Sequence, residues 1–222
     1  MEMYVREIEV ISLGLPVAYG EMLARQKERR AQVERGEAPN TLFVLEHLPV
    51  ITCGRNTQAG NVLAAPQALA AQGVALEQVD RGGDVTYHGP GQLVAYPILR
   101  LTEWKCSVGW YLRSLEEVLI KTLAGFGIEG WREEGYTGVW TSAGKVAAIG
   151  VGVHQWTTFH GVALNVAPDM EHFRLIVPCG IGDRPVASMA ALLGAAPDME
   201  SVRAAFLREF GRVFGEALTT QD

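Results

Sequence analysis

Between two strand-like runs, Val74–Val79 and Leu93–Leu99, the chain carries Arg81-Gly82-Gly83-Asp84-Val85-Thr86-Tyr87-His88-Gly89-Pro90-Gly91-Gln92. Five of these twelve residues are Gly or Pro. A hairpin connection needs only ~2–5 residues, so the segment is longer than a plain turn requires. Gly-Gly and Gly-Pro-Gly are ordinary turn signals, and a hairpin with polar decoration is the plainer reading. Glycine also permits close backbone approaches that a Cβ forbids. With a guanidinium, a carboxylate, hydroxyls and an imidazole set among those glycines, the segment predicts an excursion from a sheet that builds a site.

The surrounding pattern sets the fold class. Val5–Ile11, Thr41–Glu46 and Pro49–Thr52 read as strands. Gly138–Thr141, Lys145–Val153 and Trp156–Val166 read as three consecutive strands joined by short turns. Helices are expected from Pro16 to Gly36, over Pro66–Gln72 with Gly73 at the C-terminal cap, from Ser107 to Phe126, and from Met199 to Leu218. Strands outnumber helices without alternating strictly with them. That predicts an α+β (mixed α/β) domain, with a central mixed β-sheet flanked by helices, rather than a doubly wound parallel sheet. Residues 1–222 are read as one domain; a small segment starting near residue 195 is the alternative division.

A net charge of −6 argues against nonspecific nucleic-acid binding. Arg25, Lys27, Arg29 and Arg30 interleave with Glu21, Glu28 and Glu34, which fits a solvated helix face; a docking patch for an acidic carrier protein is the sharper alternative. No apolar run reaches the ~20 residues of a membrane span, and Met1–Glu7 lacks the layout of a secretory signal. A cytoplasmic location and no membrane partner are expected. Three widely spaced cysteines, Cys53, Cys106 and Cys179, argue against a disulfide framework, and no Cys-x-x-Cys or His-Glu-x-x-His spacing suggests a metal. No cofactor is expected, since both common phosphate-cradling glycine motifs are missing.

Cys179, in Val177-Pro178-Cys179-Gly180, has the surroundings of an exposed nucleophile: proline fixes the backbone before it, and glycine bares the amide after it. The same context suits a small buried hydrophobe. Cys53 and Cys106 read as structural. A nucleophilic thiol, with a usual pKa of ~8.5, needs a cation or base beside it. Lys145, between Gly144 and the apolar run Val146–Ile149, is one candidate, though it also fits a strand-edge lysine marking a turn. A Cys179–His pair competes with Cys179–Lys145. The histidines, His47, His88, His154, His160 and His172, are scattered.

The Arg81–Gln92 segment resembles the signature of the lipoyl/octanoyl transferases, also called lipoate-protein ligase B. Leu45–Gly54, Gly138-Val139-Trp140 with Gly144–Gly150, His160–Val166 and Pro178–Ile181 are similar to that family's other blocks, in order. The resemblance implies a mixed sheet shared with biotin protein ligases and ATP-dependent lipoate ligases. It implies that Cys179 takes an octanoyl group from octanoyl-acyl carrier protein as a thioester. Lys145 would lower the thiol pKa and move protons. The acyl group would pass to a lysine of apo lipoyl domains, those of 2-oxoacid dehydrogenase complexes and the glycine cleavage H protein. Arg81, Gly82, Gly83, Asp84, Val85, Thr86, Tyr87 and His88, with Ala148, Ile149, Gly150, Gly161, Val162 and Ala163, would bind the acyl chain. No ATP is implied, because a thioester is already activated, and a monomer is expected. Leu48 and Cys53 depart from the family's usual residues without touching the implied Cys179–Lys145 pair.

Overall fold

The computed structural model describes residues 7–58, 60–177, 184–215 and 217–220. Its main sheet has seven strands in the order β10-β1-β2-β6-β9-β8-β7. These are β1 (Glu7–Ser12), β2 (Asn40–Leu45), β6 (Gln92–Ile98), β7 (Val139–Thr141), β8 (Gly144–His154), β9 (Thr157–Asn165) and β10 (Ala217–Thr220). β1 runs parallel to β2 and β10, while β2, β6, β9, β8 and β7 pair antiparallel, so the sheet is mixed as expected. A second sheet holds β4 (Ala75–Gln78), β3 (Val50–Cys53) and β5 (Val85–His88), in that order.

Helices cover both faces of the main sheet. On one face α1 (Tyr19–Arg35) buries Met22 and Val33 against Phe43, Tyr96, Phe159 and Ala163. On the other face lie α3 (Val108–Ala124) and α5 (Met199–Phe214). There Leu115, Leu119, Phe206 and Phe210 share one core with Val146, Ala147, Val162 and Leu164. α3 begins where the sequence placed its cap: Ser107 Oγ accepts from the Trp110 N–H at 3.2 Å. Val202, Phe206, Phe210 and Phe214 of α5 pack into this core.

Several boundaries differ from the sequence reading. α1 starts at Tyr19, not Pro16. α5 stops at Phe214, because Gly215 takes the left-handed conformation (φ 70°), and Leu218 belongs to β10 instead. A short helix α4 (Met189–Leu193), capped by Ser188, was not anticipated, whereas α2 (Pro66–Ala71) was. The basic run on α1 is ion-paired along its length: Arg25 to Glu21, Lys27 to Asp80, Arg29 to Glu9 and Arg30 to Glu34. Those pairings fit the solvated helix face rather than an uncommitted acidic-partner patch.

β8 and β9 are joined by a two-residue hairpin turn. His154 pairs with Thr157, and the two residues between them, Gln155 (φ 46°) and Trp156 (φ 60°), both have left-handed backbone. Two consecutive positive φ values are the mark of a type I′ turn, whose twist matches that of the strands it joins.

Candidate active site

The Gly-rich segment is not one long loop. Val85–His88 is a fully buried strand, β5, bracketed by two turns. Asp84 starts it, with Oδ1 accepting from the Val85 N–H at 2.7 Å and Oδ2 accepting from Asn61 Nδ2 at 2.5 Å. The turn before it stitches the two sheets together, since the Gly82 N–H donates to Val151 O of β8 at 2.9 Å. Arg81 is buried in this seam. Its Nη2 donates to Thr52 O at 2.8 Å and Thr52 Oγ1 at 2.9 Å, bracing β3 against the turn.

A narrow slot of about 50 Å³ lies in the seam, on the α1 side of the main sheet. Its trough is made by cross-strand neighbours on β8 and β9: Ala148 pairs with Ala163, and Gly150 with Gly161. Opposed pairs of the smallest residues leave a channel where larger pairs would meet. Gly161 has a second reason to lack a side chain, because a Cβ there would lie 2.1 Å from Ala95 O. Ile149 and Val162 border the slot from the same strands, and Arg81, Gly83, Asp84, Val85, Thr86 and His88 line its other wall.

Two residues expected at the slot are placed elsewhere. Tyr87 points away from it and packs against His172 and Phe173, with ring centroids 4.9 and 5.4 Å away. Burial pushes its phenol up to about 12. The cause is strand geometry: along β5 successive side chains alternate faces, so Tyr87 opposes Thr86 and His88. Gly82 lines an adjoining cavity instead, one that shares Gly83, Asp84, Ile149 and Gly150 with the slot.

Lys145 lines that adjoining cavity. Val139 pairs with Ala147, but Trp140 pairs with Lys145, so β8 carries one extra residue at this point. The bulge lets Val146 and Ala147 both enter the core under α3 and α5. It thereby re-aims Lys145, whose side chain lines the adjoining cavity with Ile149, Gly150 and Val151. The ammonium lies 5.6 Å from the centre of the Trp140 ring. Gly138 makes room for the stem, since a Cβ there would come 2.7 Å from Lys145 Cε.

Cys179 lies outside the described residues. The chain on either side of its segment is anchored. Val177 N–H donates to Asn61 O at 2.8 Å on the near side. On the far side Lys145 N–H donates to Pro185 O, and Lys145 O accepts from the Ala187 N–H, each at 2.9 Å. The main chain of Lys145 thus clips the stretch that follows Cys179. Of the other cysteines, Cys53 is buried in β3, whereas Cys106, read as structural, is exposed.

Sequence reasoning placed His88 at the slot but missed Tyr19, Tyr96 and His160, which line it as well. Three of the scattered histidines meet there. His47 Nδ1 donates to Val17 O at 2.8 Å, which leaves Nε2 to accept from the Tyr96 hydroxyl at 2.8 Å. His160 Nε2 donates to Asp80 Oδ1 at 3.0 Å, and its Nδ1 accepts from the Tyr19 hydroxyl at 3.3 Å. His88 Nδ1 donates to Gln92 Oε1 at 3.0 Å. His160 is held with left-handed backbone (φ 56°), its N–H donating to Gln26 Oε1 at 2.7 Å. The one available signal was positional: His88 ends β5 and His160 stands beside Gly161.

Burial holds all three imidazoles neutral, lowering His47 and His160 to about 4 and His88 to about 3. The histidines lining the slot are therefore hydrogen-bonded but uncharged. The sign of the pH effect follows. In the unfolded chain these groups protonate near pH ~6.5, whereas in the folded protein they do so only below the lowered values. Their contribution is complete above the unfolded pKa and is lost as pH falls toward the folded ones. Unfolding near pH ~5 is expected to take up about three protons, costing about 4 kcal/mol of stability per pH unit. A calorimetric Tm that stayed level from about pH 7 to about pH 5 would contradict this. Among the described residues no cluster of His, Cys, Asp and Glu is arranged to hold a metal ion.

The geometry has counterparts among known proteins. The lipoyl protein ligase A/B catalytic domain model matches residues 18–211. An octanoyltransferase of Chloroflexus aurantiacus is 49% identical over 212 residues, covering 94% of this chain and 95% of the relative. A crystal structure of lipoate-protein ligase A bound with ATP superposes with a TM-score of 0.76 at 15% identity, covering 98% of this chain and 90% of that one. The biotin protein ligase of Aquifex aeolicus in complex with biotin and ATP superposes with a TM-score of 0.58 at 15% identity, over 93% of this chain and 70% of that one. These two show the shared fold. On the family model and the close relative, the chain belongs to the lipoyl protein ligase A/B catalytic domain family.

Proposed function

We propose that this chain is an octanoyltransferase. It takes an octanoyl group from octanoyl-acyl carrier protein onto Cys179 and delivers it to a lysine of apo lipoyl domains, those of 2-oxoacid dehydrogenase complexes and the glycine cleavage H protein. The observation that carries this reading is the near-complete match to a relative of that name. The small-residue slot beside the Lys145 cavity supports it.

In the first half-reaction the Cys179 thiolate attacks the donor's thioester carbonyl. Lys145 takes the thiol proton and returns it to the departing carrier thiolate. In the second, the acceptor amine attacks the Cys179 thioester and an amide forms. Lys145 takes the proton lost by the amine and gives it back to the Cys179 sulfur. Both halves move one proton at one place, so one base serves both. The energy of the donor thioester is kept through the intermediate, and no nucleotide enters the balance.

The test is transfer itself. Purified protein, octanoyl-carrier protein and an apo lipoyl domain are expected to give an octanoylated lysine by intact mass without ATP. Transfer that required ATP and released AMP would overturn the reading in favour of a ligase. The slot gives a sharper expectation. Ala163→Leu places a branched side chain in the trough beside Ala148. It is expected to shift the octanoyl-to-hexanoyl ratio of kcat/KM by roughly tenfold or more toward the shorter chain. An unchanged ratio would remove the slot as the acyl site.

A further inference from the structure

The cavity around Lys145 is chemically unlike the slot it adjoins. It holds about 550 Å³ and opens to solvent between the Asn56–Gln58 stretch, the turn at Tyr136 and Thr137, and the first turns of α3. One side offers Asn56, Gln58 and Thr137; the other offers Val108, Leu112 and Tyr136. Among the described residues no hydrogen bond engages the side chains of Asn56, Gln58 or Thr137. The Asn56 main chain is nevertheless fixed, its N–H donating to Gly83 O at 3.1 Å. Two carboxamides and a hydroxyl are thus presented by an anchored loop and turn, each able to donate and accept.

We infer that this cavity is the binding site for the pantetheine arm of the acyl donor. The inference rests on the octanoyltransferase reading and extends it to the part of the donor that does not react. An acyl chain in the slot has its carbonyl at the shared border, Gly83, Asp84, Ile149 and Gly150, with Lys145 beyond. Whatever carries the thioester must leave outward through the second cavity. A pantetheine arm is a narrow chain of two amides separated by short methylene stretches. Its amides match the uncommitted Asn56, Gln58 and Thr137, and its methylenes match Val108, Leu112 and Tyr136. The acceptor is a poorer match, since a lysine brings one amine on an all-methylene stem with no amide near the reacting end.

Binding energy from a non-reacting part of a substrate appears as a loss when that part is cut away. The test compares octanoyl thioesters of pantetheine and of N-acetylcysteamine, which keeps only the inner amide. Wild-type protein is expected to favour the pantetheine thioester by roughly tenfold or more in kcat/KM, the scale of one or two hydrogen bonds. In the double variant Asn56→Ala, Gln58→Ala, and separately in Thr137→Val, that preference is expected to shrink by roughly tenfold and by a lesser factor, respectively. Equal use of both donors by the wild type would overturn the inference. So would variants that slow both donors by the same factor, or variants whose only defect is a raised KM for the apo lipoyl domain, which would give the cavity to the acceptor. Failure of the wild type to transfer octanoyl from the carrier protein at all would instead sink the octanoyltransferase reading.

Discussion

Cys179→Ala is expected to abolish both the covalent octanoyl adduct and transfer, by a factor on the order of 10⁴ or more, as removal of a covalent nucleophile does elsewhere. Lys145→Ala is expected to leave the thiol in place and lower kcat by roughly 10²–10⁴-fold, the range for a lost general base. The two variants separate the roles. In Lys145→Ala the pH profile of Cys179 alkylation should shift upward toward the ~8.5 of a free thiol, because the neighbouring cation has gone. Alkylation must be read by peptide mapping, since Cys106 is exposed and will react as well. The lysine variant is informative because the hold on the stretch after Cys179 lies in the Lys145 main chain. The hydrogen bonds from Lys145 to Pro185 and Ala187 use backbone atoms and survive loss of the side chain. An adduct that persisted in Cys179→Ala, or an alkylation profile in Lys145→Ala identical to wild type, would end the proposed mechanism.

Gly144→Ala should damage the protein by a different route. Gly144 has φ 126°, which L side chains rarely adopt, and a Cβ would stand 2.2 Å from Pro185 O. Relief requires Pro185 to move, and Pro185 is the residue Lys145 holds. The strain and clash together are expected to cost about 2–4 kcal/mol, a Tm loss of roughly 5–15 °C. The activity loss should exceed this: well below the melting point, kcat is expected to fall on the order of 100-fold as the stretch following Cys179 comes away from Lys145. Gly127→Ala is the control. It imposes the same kind of backbone strain at φ 73° with no atom within 4 Å of the added Cβ, and should change Tm without a comparable change in kcat. If Gly144→Ala retained wild-type kcat, the clip would have no part in placing the reactive residues.

Much of this was legible in the residues, for identifiable reasons. The α3 periodicity, its Ser107 cap and the Gly/Ala content of β8 and β9 are local signals, and local signals survive folding. Three failures share another cause. The resemblance carried Tyr87 to the slot with the whole of Arg81–His88; read as a strand, the period of two turns it away. The bulge that aims Lys145 is set by pairing with β7 and leaves no mark in the sequence of β8 alone. The histidine wall joins His47, His88 and His160, which are far apart in the chain and meet only when the second sheet closes on the first. Chemistry carried by one stretch of chain was visible; chemistry assembled across a seam was not.

The two-residue turn between β8 and β9 has a consequence for the slot. It fixes which residues face each other along the hairpin, and so fixes Ala148 against Ala163 and Gly150 against Gly161. The residues between them, Ile149 and Val162, are large and pair with each other. A slip of one residue would flip every side chain to the other face, putting a ridge of branched side chains where the trough now lies. The shape of the slot is therefore set by strand register as much as by the identity of any wall residue. That register is held at Gln155 and Trp156, at the far end of the hairpin from Lys145.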